Sequence, residues 1–146
     1  MRVYLDNCCL QRPLDDKNQV RIQLESEAAL AILSLSERQQ IELVSSEVLD
    51  FEVGRNPDPE RRTFVSQMLS RAALSIEVDA GITTRARRLE SDGFKGMDAL
   101  HVACAEAANA DFFCSCDDRL LRKARLARDL QVEVVSLLEL AGRIVQ

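Results

Sequence analysis

The chain has 146 residues, of which 47% are hydrophobic and 29% charged. That is enough apolar material for one core burying roughly 70% of the unfolded surface, and it excludes disorder, collagen-like repeats and a disulfide-stapled miniprotein. With 24 acids against 19 bases the net charge is −5, so whole-molecule attraction does not draw in nucleic acid and any such contact must be local.

No apolar run reaches the roughly 20 residues of a membrane span, and Asp6 interrupts the opening segment too early for a secretory signal, so the expected location is the cytoplasm, away from membranes. The bases are 16 Arg and 3 Lys, a bias toward the planar donor suited to phosphate and carboxylate. Five cysteines, Cys8, Cys9, Cys104, Cys114 and Cys116, are an odd number that fits reduced thiols better than a disulfide framework.

In chain order, residues 2–5 read as a first strand that ends on Asp6. Open α/β sheets bind ligands at the carboxyl ends of strands, although a turn or helix cap would use the same residue. Leu24, Ala28, Ala31, Ile32 and Leu35 keep a helical stripe and predict one long helix over 20–37. A second strand is expected over 41–44 and a helix over 47–53. In that helix Glu52 lies four residues after Val48 and three after Leu49, on the inward stripe with Val53, whereas Glu47 and Asp50 lie off it. An inward carboxylate costs on the order of several kcal/mol unless a cation or hydrogen bonds compensate.

Asn56-Pro57-Asp58-Pro59 is a break, with Pro59 suited to the first turn of a helix over 59–73. A strand over 74–78, a helix over 80–90 and a loop over 91–96 follow. Asp98 then falls in the first turn of a helix over 97–109, where the helix dipole favours negative charge. The rest of that helix is almost all small or apolar, which places its amino end rigidly near the sheet. A strand over 111–114 leads to Asp117 and Asp118, one of which can be an N-cap. A helix over 118–127, a strand over 132–135 and a helix over 136–144 complete the pattern. Strands alternating with helices predict a three-layer α/β/α architecture around a central, mostly parallel five-stranded sheet, as a single domain over 1–146.

Three or four carboxylates meeting in one crevice repel each other unless a divalent cation joins them, and all-oxygen ligands suit Mg²⁺ or Mn²⁺. At this point the chain resembles the PIN-domain nucleases, which include the toxin ribonucleases of VapBC-type toxin–antitoxin pairs. The resemblance rests on Val3-Tyr4-Leu5-Asp6, on Ser45-Ser46-Glu47-Val48-Leu49-Asp50-Phe51-Glu52, on Asp98-Ala99-Leu100-His101-Val102-Ala103, and on the run from Asp111 to Leu120. It implies four site acids, Asp6, Glu52, Asp98 and Asp117, with Asp118 the alternate for the fourth. Asp6, Asp98 and Asp117 or Asp118 would be the metal ligands, with Glu52 a ligand, an orienting group or a base toward water. Ser115 resembles the small hydroxyl the family often carries before its last acid. Where many relatives have Thr or Ser after the first acid, this chain has Asn7-Cys8-Cys9, and Asn7 can still orient a carboxylate or water.

The chemistry the resemblance implies is metal-dependent hydrolysis of an RNA phosphodiester, leaving a 5′-phosphate and a 3′-hydroxyl, by an endoribonuclease that is the toxin of a type II pair. The implied partners are the RNA substrate, a cognate antitoxin and a second copy in a homodimer. Phosphate needs flanking bases. Arg12, Arg119 and Arg122, together with Asn7 and Ser115, are the expected substrate contacts, although arginines are equally at home on solvated helix faces.

Two other readings compete. One is a catalytically silent PIN-fold module that binds RNA or protein. The other is aspartyl-phosphate chemistry, which the sequence disfavours because Cys8 stands where a second Asp is needed. His101, three residues after Asp98, can bond that carboxylate, but a lone helical histidine is more commonly packed or at the surface. Cys114 and Cys116 share a strand face, and Cys8-Cys9 would adjoin them if the first and fourth strands are neighbours. Their spacing is poor for a zinc knuckle, so small buried thiols are expected.

Overall fold

A computed structural model describes residues 1–144; Val145 and Gln146, the last two residues of the expected domain, lie outside the described residues. The elements are β1 (Arg2–Leu5), α1 (Asn7–Gln11), a 3₁₀ turn (Arg12–Leu14), α2 (Val20–Glu37), β2 (Glu42–Ser46), α3 (Glu47–Gly54) and α4 (Pro59–Leu69). They continue as β3 (Leu74–Ile76), α5 (Ala80–Ser91), α6 (Gly96–Ala107), β4 (Phe112–Cys114), α7 (Asp118–Leu126), β5 (Glu133–Val135) and α8 (Leu137–Ile144).

The five strands form one sheet in the order β3-β2-β1-β4-β5, and every pairing is parallel. Helices flank the sheet in a three-layer α/β/α arrangement, with α2 packed on α8, α5 on α6, and α3 against both α4 and α6. A central parallel strand is buried on both faces and therefore reads as an unbroken apolar run. Val3, Tyr4 and Leu5 of β1 are all fully buried. The chain leaves β1 toward β2 on one side and reaches β4 on the other, which makes the carboxyl ends of β1 and β4 the topological switch point where such sheets open a crevice.

The boundaries differ from expectation where local chemistry decides them. Between the first strand and the long helix, where no element was expected, residues 7–14 form α1 and the 3₁₀ turn, and Asp6 caps α1 by accepting the Asn7 N–H. The helix expected over 59–73 stops at Leu69, and the strand expected over 41–44 runs to Ser46. Gly93 has φ of 103° after the last turn of α5, a left-handed conformation that a glycine adopts without strain and that turns the chain toward α6.

The long helix has its expected bounds but only part of its expected stripe. Ala28 and Ile32 are buried as expected, and Glu25, Ser26, Ala29 and Leu33 are buried beside them, while Leu24 is 46% exposed and Ala31 faces solvent. The reason is ionic: Glu25 is 2% exposed and lies 3.4 Å from Arg12 and 3.3 Å from Arg21, so its charge is compensated inside. Among the described residues no helix is long and apolar enough to cross a membrane.

Candidate functional site

A cleft of about 390 Å³ opens at the switch point, and Asp6, Asn7, Cys8, Glu52, Asp98 and Asp117 line it together with Gln11 and Asp15. Four side chains separated by up to 111 positions in the sequence thus share one wall-to-wall space. Each is placed by local structure. Asp6 follows β1 and caps α1, its Oδ1 accepting the Asn7 N–H at 2.8 Å. Asp117 caps α7, its Oδ1 accepting the Arg119 N–H at 2.9 Å. Asp98 lies in the first turn of α6 and is half-buried. Glu52 projects from α3, whose first turn is fixed by the Ser46 side chain accepting the Leu49 N–H at 3.1 Å.

The fully buried Ser115 joins two of these acids. Its Oγ donates to Asp6 Oδ2 at 3.0 Å and accepts the Asp117 N–H at 3.1 Å. This corrects the expectation of a substrate contact, since a hydroxyl with no exposed surface holds the loop and does not meet RNA.

Asp118 is a second correction. Its carboxylate takes two parallel bonds from Arg21, at 2.8 and 2.9 Å, and this pairing lowers its pKa while turning the side chain toward α2 and away from the cleft. Arg12 is a third. Its guanidinium bonds Asp15 at 2.9 Å and meets the buried Glu25, so it is committed inside the protein. Arg122 lines a different surface groove, with Arg21, Arg125 and Asp118, and Arg119 is exposed just after the fourth acid.

His101 is the residue whose importance the sequence understated. It is 1% exposed, its Nε2 donates to Glu52 Oε1 and not to Asp98, and its Nδ1 faces the Tyr4 hydroxyl at 2.6 Å. Tyr4 in turn meets Ser46 Oγ at 2.7 Å. A continuous chain of the buried Ser46, Tyr4 and His101 therefore reaches the partly exposed Glu52 and fixes one of its carboxylate oxygens at the cleft. Burial presses His101 toward neutrality, but the Glu52 bond and the charges of Asp6 and Asp98 outweigh it and raise its pKa. The available signal was that Glu52 on its inward stripe needs a compensating donor, and a histidine is the nearest polar residue that an apolar helix can supply.

The electrostatics fit a hard cation. Burial, then the charges of Asp6 and Asp117, push Asp98 up to about 6. Burial, with Cys8 and Glu52 adding to it, pushes Asp6 up to about 7 against the opposing pull of His101 and Ser115. Among the described residues no arginine or lysine forms an ion pair with any of the four acids, and the one cationic partner is His101 on Glu52. Asn7 Oδ1 is buried at the same cleft without a hydrogen-bond partner. The ligand atoms of Asp6, Glu52 and His101 lie within 4.8 Å of one another, and with Asp98, Asp117 and the orphaned Asn7 oxygen lining the same cleft the surroundings are oxygen-rich, as Mg²⁺ or Mn²⁺ requires.

No curated protein matches the chain by sequence. Among solved structures, one similar chain belongs to VapBC2 from Rickettsia felis bound to a DNA fragment from their promoter. It has 17% identity and a TM-score of 0.58 over 93% of this chain and 98% of that one. Another is PAE2754 from Pyrobaculum aerophilum, at 15% identity and a TM-score of 0.60 over 99% and 90% of the two chains. At these identities the likeness is one of fold. Family membership rests on sequence: the PIN domain model matches residues 3–126, from β1 through α7, and the chain belongs to the PIN domain family.

Proposed function

We propose that this protein is a divalent-metal-dependent endoribonuclease, folded as one PIN-like domain and working in the cytoplasm as the toxin of a type II toxin–antitoxin pair. The observation that carries the reading is the meeting of Asp6, Glu52, Asp98 and Asp117 in one cleft at the ends of β1 and β4. Asp6, Asp98 and Asp117 would hold Mg²⁺ or Mn²⁺, and the unpartnered Asn7 Oδ1 would orient a water beside them. When bound, the ion supplies Lewis-acid stabilisation of phosphate charge and acidifies a coordinated water. Glu52, held at Oε1 by His101, accepts a proton from the attacking water at Oε2. Ser115 keeps Asp6 and Asp117 at a fixed separation, and Arg119 meets the RNA backbone next to the acidic wall, offsetting its repulsion.

The fold likeness to a chain of a VapBC complex supports an antitoxin as partner, and self-association as a homodimer follows the same reading. The test is incubation of the purified protein with single-stranded and structured RNAs in Mn²⁺ or in EDTA. Cleavage is expected in Mn²⁺ alone, lost in Asp98→Asn and unchanged in Asp118→Asn. Cleavage that persists in EDTA or in Asp98→Asn refutes the mechanism, and the absence of cleavage of any RNA favours a silent binding module.

A further inference from the structure

With β1 and β4 adjacent, four of the cysteines expected to be small buried thiols, Cys8, Cys9, Cys114 and Cys116, are gathered behind the acidic cleft. Cys9 Sγ lies 3.5 Å from Cys116 Sγ and 3.9 Å from Cys114 Sγ. The sulfurs of Cys8, Cys9 and Cys116 all fall within 4.8 Å of one another. None of the five cysteines is in a disulfide. Zinc–thiolate bonds of about 2.3 Å place sulfurs about 3.8 to 4.0 Å apart around a shared ion, so the three thiols already stand near the edge lengths of a coordination polyhedron.

Their sequence origin explains why spacing did not reveal them. Cys8 and Cys9 sit in the first turn of α1, Cys116 lies in the β4–α7 connection, and the parallel pairing of β1 with β4 brings the two segments side by side. Buried thiols gain little from each other as hydrogen-bond partners, because S–H is a weak donor and sulfur a weak acceptor. Cys9 is fully buried and Cys116 is 7% exposed, while Cys8 is half-buried and gives a route in from the cleft. One further group points to a ligand. Arg12, whose charge is close enough to interact with that of Cys116, has its Nε buried without an acceptor. A metal-bound thiolate accepts such a donor, as the outer hydrogen bonds of metal centres do.

We infer that Cys8, Cys9 and Cys116 form a thiolate site for a soft divalent cation, Zn²⁺, distinct from the hard-ion site formed by the carboxylates. Soft sulfur ligands select zinc over magnesium or manganese, so the two sites sort their ions by chemistry although they are neighbours. Binding releases the thiol protons to solvent and forms three S–Zn bonds with no change of oxidation state. The consequence is mechanical. The ion ties the turn that follows Asp6 to the residue that precedes Asp117, and so fixes two acids of the cleft from behind. The inference does not depend on the nuclease reading.

The experiment uses reduced, metal-free full-length protein, handled without oxygen, with Cd²⁺ as the probe in a large excess of Mg²⁺. Thiolate-to-cadmium charge-transfer absorption is expected to rise to one equivalent of Cd²⁺ and to be displaced by Zn²⁺. Because that absorption reports sulfur ligands only, it is expected to remain in Asp98→Asn and in Cys104→Ser. Cys8→Ala, at a half-buried position that tolerates truncation, and Cys116→Ser are each expected to bind at least tenfold more weakly and with a smaller band. An absent band in the wild-type protein overturns the inference whatever the variants do. So does a band of undiminished strength in folded Cys8→Ala.

Discussion

Replacing Asp6 by asparagine separates the charge of this side chain from its shape. Asp6 is 8% exposed, and its pKa rises from 3.8 to about 7. The folded state therefore binds the proton more tightly than the unfolded chain. The associated stability is complete below the unfolded pKa and is lost as pH rises through about 7. A shift of about three units at about 1.36 kcal/mol each makes the ionised Asp6 cost about 4 kcal/mol at pH 8 without metal.

Asparagine keeps an acceptor for the Asn7 N–H but weakens the charge-assisted bond from Ser115, a loss of about 1 to 2 kcal/mol. The variant is expected to be more stable than the wild type by about 2 kcal/mol in EDTA at pH 8, and equal or slightly weaker near pH 4. Urea unfolding followed by far-ultraviolet circular dichroism at the two pH values measures this. Millimolar Mn²⁺ is expected to reverse the order at pH 8, since an ion bound only by the folded wild type stabilises it. A variant that is no more stable than wild type at pH 8 in EDTA would refute the reasoning, because ionising the buried Asp6 would then not destabilise the fold.

Tyr4→Phe removes the hydroxyl between Ser46 and His101 without leaving a cavity, so His101 Nδ1 is stranded in the interior. A loss of about 1 to 3 kcal/mol is expected in urea unfolding. A kcat for RNA cleavage about tenfold lower, with KM little changed, is expected as Glu52 loses its fixed orientation, whereas equal losses in kcat and KM would argue for general disruption. Gly93→Ala places a Cβ at φ of 103°, where the nearest side-chain atom is Lys123 Nζ at 3.1 Å, the end of a long side chain that donates to the Gly93 carbonyl. The cost is then backbone strain of about 1 kcal/mol, read as a Tm lower by roughly 4 °C; an unchanged Tm would count against the strained-turn assignment.

The fold was legible because its signals are local and strong. The apolar run before Asp6, the Pro59 break and the small-residue helix after Asp98 each match one element of the observed structure. The acid at position 52 could be singled out because it violates the apolar stripe of α3, and a violation is informative in a way that Glu47 and Asp50 are not. Contacts between distant segments were not legible. Asp118 and Asp117 are indistinguishable as neighbours in sequence, and only the position of Arg21 on α2 decides which of them is drawn away. Glu25 shifted the inward face of α2 by one residue for the same reason, since its two arginine partners come from the 3₁₀ turn and the helix's own preceding turn. The cysteine cluster depended on strand order, which composition and spacing do not contain.

The bond between Ser115 and Asp6 spans 109 positions of chain. A ribosome that has delivered Asp6 must still add 109 of the 146 residues, about three quarters of the protein, before Ser115 is made to hold it. A growing polypeptide therefore carries no assembled acidic cleft until β4 and the residues after it have been made, and a chain cut short before β4 ends lacks both Ser115 and Asp117.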